Sequence, residues 1–486
     1  MKIKNLLYVL LACSVGLSSC SKFLDKNPDM RAEINSVENL KRLVASAYPS
    51  ANHLLMTEVY SDNVEDKGVG SLEQMITNFY NWQDINDNGT NTPTDYWNKC
   101  YEAISVANHA LKAIEEGNFG EDVLPYKGEA LVARAYAHFM LVTLYSQAYQ
   151  IGGDNSSPGV PYVTEPENVV IKQYERGTVA SVYENIRKDL EEGLPLLKGG
   201  KWEVPKYHFT PESANAFAAR FYLFTGQWQK VVDHANAIFA GGNFAGKLRP
   251  YNTTFKTLGF NEVNIVYTKA DQPYNLMLSE TYSTYQRFSS VRHGMGVNVF
   301  QKVLNGITAA GQQFYNFGLS YGTPHYTTYV WKEFFYITDA AANTGFPMLM
   351  VPTFTSDEAL MNRAEAYAQL GQNAKAIADL NLLASNRIDR YNPTAHEVTL
   401  AKAQAHFEVT DPKKALINTV LEFKRVVFMQ EGMRWFDIIR HRLPVKHIVI
   451  DDQGNESFIE LGPDDKRRVF QIPQETKLSG LEQNPR

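Results

Sequence analysis

Two stretches of this chain repeat one another at a constant offset. Tyr222-Leu-Phe-Thr-Gly226-Gln227 is followed by Val231, Val232 and Ala235, and Tyr367-Ala-Gln-Leu-Gly371-Gln372 by Ala376, Ile377 and Leu380. In each, aromatic and small residues lead into a glycine, and apolar residues then resume at three- and four-residue spacing. That is the pattern of a helix, a glycine turn and a second helix. Such a pair cannot bury its apolar face alone and must stack on a neighbour. The chain is therefore read as mostly α, built from stacked helix pairs.

The repeat is tetratricopeptide-like, and other segments extend it. Ser36 is placed to cap a helix running to about Ser46. Trp97, Tyr101, Ile104 and Ala107/Asn108 share one face of a helix over about 96–116, and similar spacing runs through 126–149 and 178–197. Residues 245–355 differ, being rich in Gly, Asn, Thr, Ser and Tyr with weak periodicity. So long a stretch within a compact body is read as a loop-rich ligand-binding subdomain mounted on the scaffold, where sites concentrate. The expected organisation is a signal peptide at 1–19 and one domain at 20–486. In that domain, about 37–240 and 356–445 form the helical scaffold and about 245–355 the subdomain. Ile448–Leu461, centred on Asp451-Asp452-Gln453-Gly454, reads as a hairpin or loop.

The N-terminus addresses the chain. Lys2 and Lys4 precede an apolar run, Leu6 to Leu17, which is too short to span a bilayer but suits a secretory signal. It closes on Leu17-Ser18-Ser19-Cys20, a lipobox, so Cys20 is the expected lipidation site and acyl chains the only membrane anchor. Cys13 leaves with the signal. Cys100, among Trp97, Tyr101 and Ile104, is left alone and reads as a small buried hydrophobe. The formal charge of −6 grows more negative once both lysines depart, which argues against nucleic acid.

Catalytic patterns are largely absent, and no cofactor is implied. Gly318-Leu-Ser320-Tyr-Gly322 matches a nucleophile-elbow string, but Thr323-Pro324-His325 follows where a helix is required. Asp84-Ile-Asn86-Asp-Asn88-Gly89 with Asp95 has the spacing of a calcium loop. Against it stand Asp at the twelfth position, Pro93 at the tenth and no entering helix. The same letters make an Asn/Gly-rich surface turn, and no metal is expected to matter to the fold.

The block Glu431-Gly432-Met433-Arg434-Trp435-Phe436-Asp437-Ile438-Ile439-Arg440, then Leu443-Pro444-Val445, carries a resemblance. With the lipobox it is joined by Trp97…Tyr101…Ile104…Asn108, Arg134-Ala-Tyr136-Ala-His-Phe139, Gly159-Val-Pro161-Tyr-Val-Thr-Glu165, Arg363-Ala-Glu365-Ala-Tyr367, Ile472-Pro473-Gln474 and Gln483-Asn484-Pro485. In order and number these resemble the SusD/RagB family of nutrient-binding outer-membrane lipoproteins. The resemblance implies a SusD-like fold without enzymatic activity, lipid-anchored at the outer membrane and facing the cell surface. It further implies a lid on a SusC-like TonB-dependent transporter that captures glycan. Peptide capture, or a scaffold serving assembly, is the alternative. Arg434, Trp435 and Asp437 are then structural.

The family's ligand loops vary, so site residues are chosen on chemistry. Sugars lay C–H faces on aromatic rings and offer hydroxyls to carboxylates, amides and Arg. Candidates are Asp62, Asn63, Asp66 and Trp82 in the first loop region, and Tyr282, Tyr285, Arg292, Tyr321 and Tyr326 in the subdomain. Trp82 is expected to stack on sugar, with Asp62 and Asn63 bonding the same ligand. Trp331 is assigned to the core.

Overall fold

The computed structural model describes Ile34 and residues 36–167, 171–328 and 332–486. The signal peptide, Cys20 and Trp331 lie outside the described residues. Among the described residues, no helix is long and apolar enough to cross a membrane.

Short polar side chains start the helices. Ser36 Oγ accepts the Asn39 N–H at 3.2 Å and opens α1 (Val37–Val44). After α2 (Leu54–Tyr60) and α3 (Gln74–Tyr80), α4 (Pro93–Glu116) begins ahead of the expected Tyr96. Thr92 caps it by accepting the Asp95 N–H at 3.2 Å, and Pro93 occupies a first-turn position that needs no donor. α5 (Leu124–Tyr145) is the central rod, buried at every residue from Gly128 to Tyr145. It stops short of Tyr149 because Ser146 turns extended. α6 (Val179–Leu196) starts at a Thr178–Ser181 capping box.

The two repeating segments fold alike. α7 (Pro211–Phe224) and α8 (Trp228–Ile238) form one hairpin; after the short α9 (Phe260–Tyr267), α10 (Ser356–Gln369) and α11 (Asn373–Arg387) form the other. Gly226 and Gly371 both sit at φ +71°. Gln227 N–H returns to Tyr222 C=O at 3.0 Å, and Gln372 N–H to Tyr367 C=O at 2.8 Å. Buried ion pairs bolt the stack together. Arg134 holds Asp189 across α5 and α6 at 2.7 and 2.8 Å, Arg363 holds Asp379 within the second hairpin, and Arg220 joins Glu358 between the hairpins. Each guanidinium grips its carboxylate with two parallel bonds. Removing one partner would strand the other's charge, at a cost of about 3–5 kcal/mol. Helices α12 (Pro393–His396), α13 (Leu400–Phe407), α14 (Pro412–Val427) and α15 (Arg434–Arg440) complete the scaffold.

The 245–355 region holds more strand than its composition suggests. β1 (Glu65–Asp66) from the first loop region pairs antiparallel with β3 (His293–Gly294). β2 (Asn275–Tyr282) pairs with β7 (Thr344–Thr355), and β7 with β6 (Phe334–Asp339), in the order β2-β7-β6. β4 (Leu319–Ser320) and β5 (Tyr326–Thr327) form a small hairpin. Pro347 and Pro352 argue against a central strand. β7 tolerates them because Pro352 lies beyond the end of β6, and Pro347 lies just past the paired end of β2, where its carbonyl accepts the Ser283 N–H at 3.1 Å. The C-terminal segment is a hairpin of β8 (Val445–Ile450) and β9 (Glu456–Leu461), its turn held by Asp451 Oδ1 accepting from Gln453 and Asn455 N–H at 2.8 Å.

Candidate functional site

The loop after α2 supplies the first group of candidates, and it is consumed by internal bonding. Asp62 accepts from Arg434 Nε and Nη2 at 2.8 and 2.9 Å, with Arg425 close by. Burial pushes its carboxyl up, but the two guanidiniums outweigh that and hold it well below the usual range. Asn63 is 1 % exposed, giving Nδ2–H to Glu58 and accepting from Arg425 Nε at 2.9 Å. Asp66 accepts from Arg292 Nε at 2.7 Å and Nη2 at 3.0 Å and from Gly68 and Ile450 N–H; these donors overcome burial and lower its pKa. Arg292 also donates to Ile450 C=O. Tyr285 is buried, its hydroxyl donating to Gln430 C=O at 3.1 Å. The expectation that these five side chains grip ligand is therefore corrected: their polar atoms already hold the frame.

Trp82 is corrected as well. It is 1 % exposed and donates Nε1–H to Tyr60 C=O at 3.1 Å. Its ring ends a four-ring pile, His293 on Tyr80 (4.2 Å), Tyr80 on His447 (4.2 Å) and His447 on Trp82 (4.4 Å). His447 is pinned by contacts of 2.8 Å to Tyr80 and Ser61 carbonyls; burial lowers its pKa, and those two carbonyls act against the shift. Trp82 also takes φ +52°, the left-handed position after α3 that usually falls to glycine. Its neighbour Arg467 lies over the ring, so no face is left for a sugar.

Three candidates remain at the surface. Tyr321 is 57 % exposed on the β4–β5 turn, which is closed by its N–H donating to His325 C=O at 2.9 Å. Tyr326 is half-buried and lies flat on Phe300, ring centres 4.2 Å apart. Beside this turn runs the loop 68–72, with Val69 and Leu72 exposed. The loop is drawn tight against the subdomain at Gly70, where φ is +110° and any Cβ would lie 2.7 Å from Ser290 C=O. Tyr282 is half-buried at the end of β2, edge-on to Phe346. Phe300, Phe346 and the exposed run Phe334–Ile337 had no mark in the sequence beyond their aromatic character.

Other motifs resolve plainly. Ser320 lies in a strand–turn–strand hairpin, and its Oγ accepts the Gly322 N–H, an arrangement without the helix of a nucleophile elbow. Asp84 is occupied by Arg486 at 2.6–3.0 Å, and Asp95 rides the first turn of α4, where burial raises its pKa. Asn86 and Asn88 stand on the loop between them. Among the described residues no three His, Cys, Asp or Glu side chains gather as a metal site. Cys100 is buried and its thiol pushed up by desolvation, as befits a core residue. Asp437 accepts from Lys424 and Arg440, and Trp435 is buried, so the 431–440 block serves the core.

The arrangement offers ring faces and hydroxyl partners on a fixed loop surface. Comparison with known proteins agrees with that architecture. A family model described as starch-binding associating with outer membrane matches residues 22–223, and a SusD-family model matches residues 326–484. A SusD-like protein of Formosa agariphila is 24% identical over 90% of this chain and 92% of its own. Among solved structures, a putative sugar-binding protein of Bacteroides vulgatus is 20% identical, with TM-score 0.69 over 93% of this chain and 99% of its own. A laminarin-binding SusD-like protein superposes with TM-score 0.57 at 17% identity, over 92% of this chain and 98% of its own. With the helical stack and the 431–440 block in their places, and both family models matched, the chain belongs to the SusD/RagB family.

Proposed function

We propose that this protein captures glycan on its loop-rich face and hands it to a TonB-dependent outer-membrane transporter, held at the membrane by lipid on Cys20. The family model's own description names starch binding and the outer membrane, and one structural relative binds laminarin. The observation that carries the reading is the pairing of exposed Tyr321 with the Tyr326–Phe300 stack on one tightly closed turn. Aromatic rings give a large contact area with little side-chain freedom to lose, and a sugar's C–H face suits them. The Asp66–Arg292 pair, its carboxylate buried and its guanidinium half-buried, fixes the neighbouring loop, so the rings are presented by a rigid support rather than a floppy one.

The test is calorimetry with laminarin and soluble starch. Loss of a stacking hot spot typically removes at least about 2 kcal/mol, roughly thirtyfold in affinity. Tyr321→Ala with Tyr326→Ala should weaken binding by that factor, yet the variant should still co-purify with the transporter from gently solubilised membranes. Unchanged affinity in the double variant would overturn the assignment of this face.

A further inference from the structure

A second opening lies on the scaffold side, lined by none of the residues discussed above as ligand contacts. It has a volume of ≈ 690 Å³, within the range of about 300–1,000 Å³ typical of small-ligand pockets. Its walls come from the segment after α1, the outer face of α4, Tyr207–His208, and the β2–β7 sheet.

Each wall is fixed in place. Glu129, buried in α5, accepts from Tyr48 Oη at 2.6 Å and Trp202 Nε1 at 2.6 Å and lies 2.7 Å from His208 Nδ1, so Tyr48 and His208 line the cleft as a set piece. The segment before α2 is tied to the sheet by Tyr282 N–H donating to Ser50 C=O at 2.8 Å. The floor is the Glu280–Met350 register pair of β2 and β7, whose side chains share one face of the sheet. Two residues further along that same face, about 7 Å on, lies the Tyr282–Met348 pair, which leads to exposed Phe346 and Tyr336.

The lining selects a class of ligand. Two carboxylates, Glu102 and Glu280, line it against one lysine, Lys99, which Glu102 pairs at 2.8 Å, so the cleft disfavours a phosphate or a carboxylate. Glu280 is exposed, with no ion pair among the described residues, and it stands near Tyr207; burial and then this carboxylate push the phenol's pKa up. Tyr207, 39 % exposed, provides a ring, while Ser46, its proton given to Leu43 C=O, adds an accepting oxygen at the rim. Carboxylate and hydroxyl oxygens that accept, a phenol that both donates and accepts, and an open aromatic face match a neutral molecule bearing many hydroxyls.

We propose that this cleft is a second carbohydrate subsite, taking a neutral oligosaccharide against Tyr207 and Glu280, with longer chains running out along the sheet face toward Phe346. It rests on the glycan-capture reading for the choice of ligand, but on separate residues. The experiment uses laminarin-derived and starch-derived hexasaccharides, titrated by calorimetry into four proteins. These are the parent, Tyr321→Ala/Tyr326→Ala, Tyr207→Ala/Glu280→Gln, and all four changes together. The loop-face variant should keep a weaker site of about one ligand per chain, and the quadruple variant should lose it by at least tenfold. Both pairs lie at exposed or half-exposed positions, and circular dichroism of each variant should match the parent. No residual binding in the loop-face variant, or residual binding that survives the four changes, overturns the subsite. Binding unaltered by the loop-face changes but abolished by the cleft changes would instead overturn the loop face as the place of capture. A parent protein that binds neither sugar overturns both.

Discussion

Trp82→Phe separates a packing residue from a ligand contact. The native indole is buried, stacks on His447 at 4.4 Å and donates Nε1–H to Tyr60 C=O at 3.1 Å. Tyr60 is the last residue of α2, so its carbonyl has no partner within the helix. Phenylalanine keeps a ring in the pile but leaves that buried carbonyl unsatisfied, a penalty of about 1–3 kcal/mol. The smaller ring also leaves a partial cavity, and about 2–4 kcal/mol in total is expected. Full truncation to Ala would cost about 3–5 kcal/mol for the cavity alone, a large part of an ordinary domain's stability. Urea unfolding followed by circular dichroism should place Trp82→Phe at a clearly lower midpoint. Calorimetry on the folded variant should find glycan affinity within twofold of the parent. Wild-type stability together with a tenfold fall in affinity would refute the reasoning, since it would mean that the ring faces ligand.

Two further outcomes follow from named groups. His138 is buried and His53 half-buried, and desolvation lowers each pKa to about 3. His138 is set up for the neutral form, Nδ1 at 2.9 Å from Arg134 C=O and Nε2 accepting from Val163 N–H. A folded pKa below the unfolded value of about 6.5 means the stability is fully present above pH 6.5 and is lost as pH falls toward 3, at about 1.4 kcal/mol per unit for each group. Urea midpoints measured from pH 7.5 to 4.5 should fall accordingly, and His138→Gln should flatten the slope. Gly226→Ala and Gly371→Ala should each destabilise by about 1–2 kcal/mol, because both residues sit at φ +71°. Gly371 meets nothing within 4 Å, and the atoms nearest a Cβ at Gly226, at 2.8–3.1 Å, belong to the exposed Ile151 side chain, which can turn aside, so unfolding midpoints of the two variants should nearly coincide.

What the sequence made legible is what local chemistry decides. Ser36 and Thr178 announce their helices because an N-cap is a short-range event, and Gly226 and Gly371 announce their turns because only a glycine adopts that backbone readily. The sheet was hidden because Pro347 and Pro352 are acceptable only where a neighbouring strand has run out, which pairing alone reveals. The candidates that turned out to be internally bonded were hidden for a related reason. Asp62 and Asp66 look like loop carboxylates until Arg434 and Arg292, hundreds of residues away in sequence, arrive to take them. Tyr321 and Tyr282 could not be told apart from Tyr285 by residue type, since exposure depends on which backbone passes overhead.

The long-range bonds around the first loop also dictate an order of events. Ser61 and Tyr80 carbonyls wait for His447, Asp62 for Arg434, and Asp66 for the Ile450 N–H, so the loop is clasped from the far end of the chain. A polypeptide emerging N-terminus first can form α4, α5 and α6 early, since their contacts are comparatively local. It cannot seat residues 61–66 until the 431–461 segment has emerged. Contacts of such wide separation are slow to find, and the unpaired carboxylates and aromatics stay open to solvent in the interval. The surface mounted on this loop is therefore among the last parts of the molecule to take shape, and a truncation before the β8–β9 hairpin would spare helices while leaving that surface unassembled.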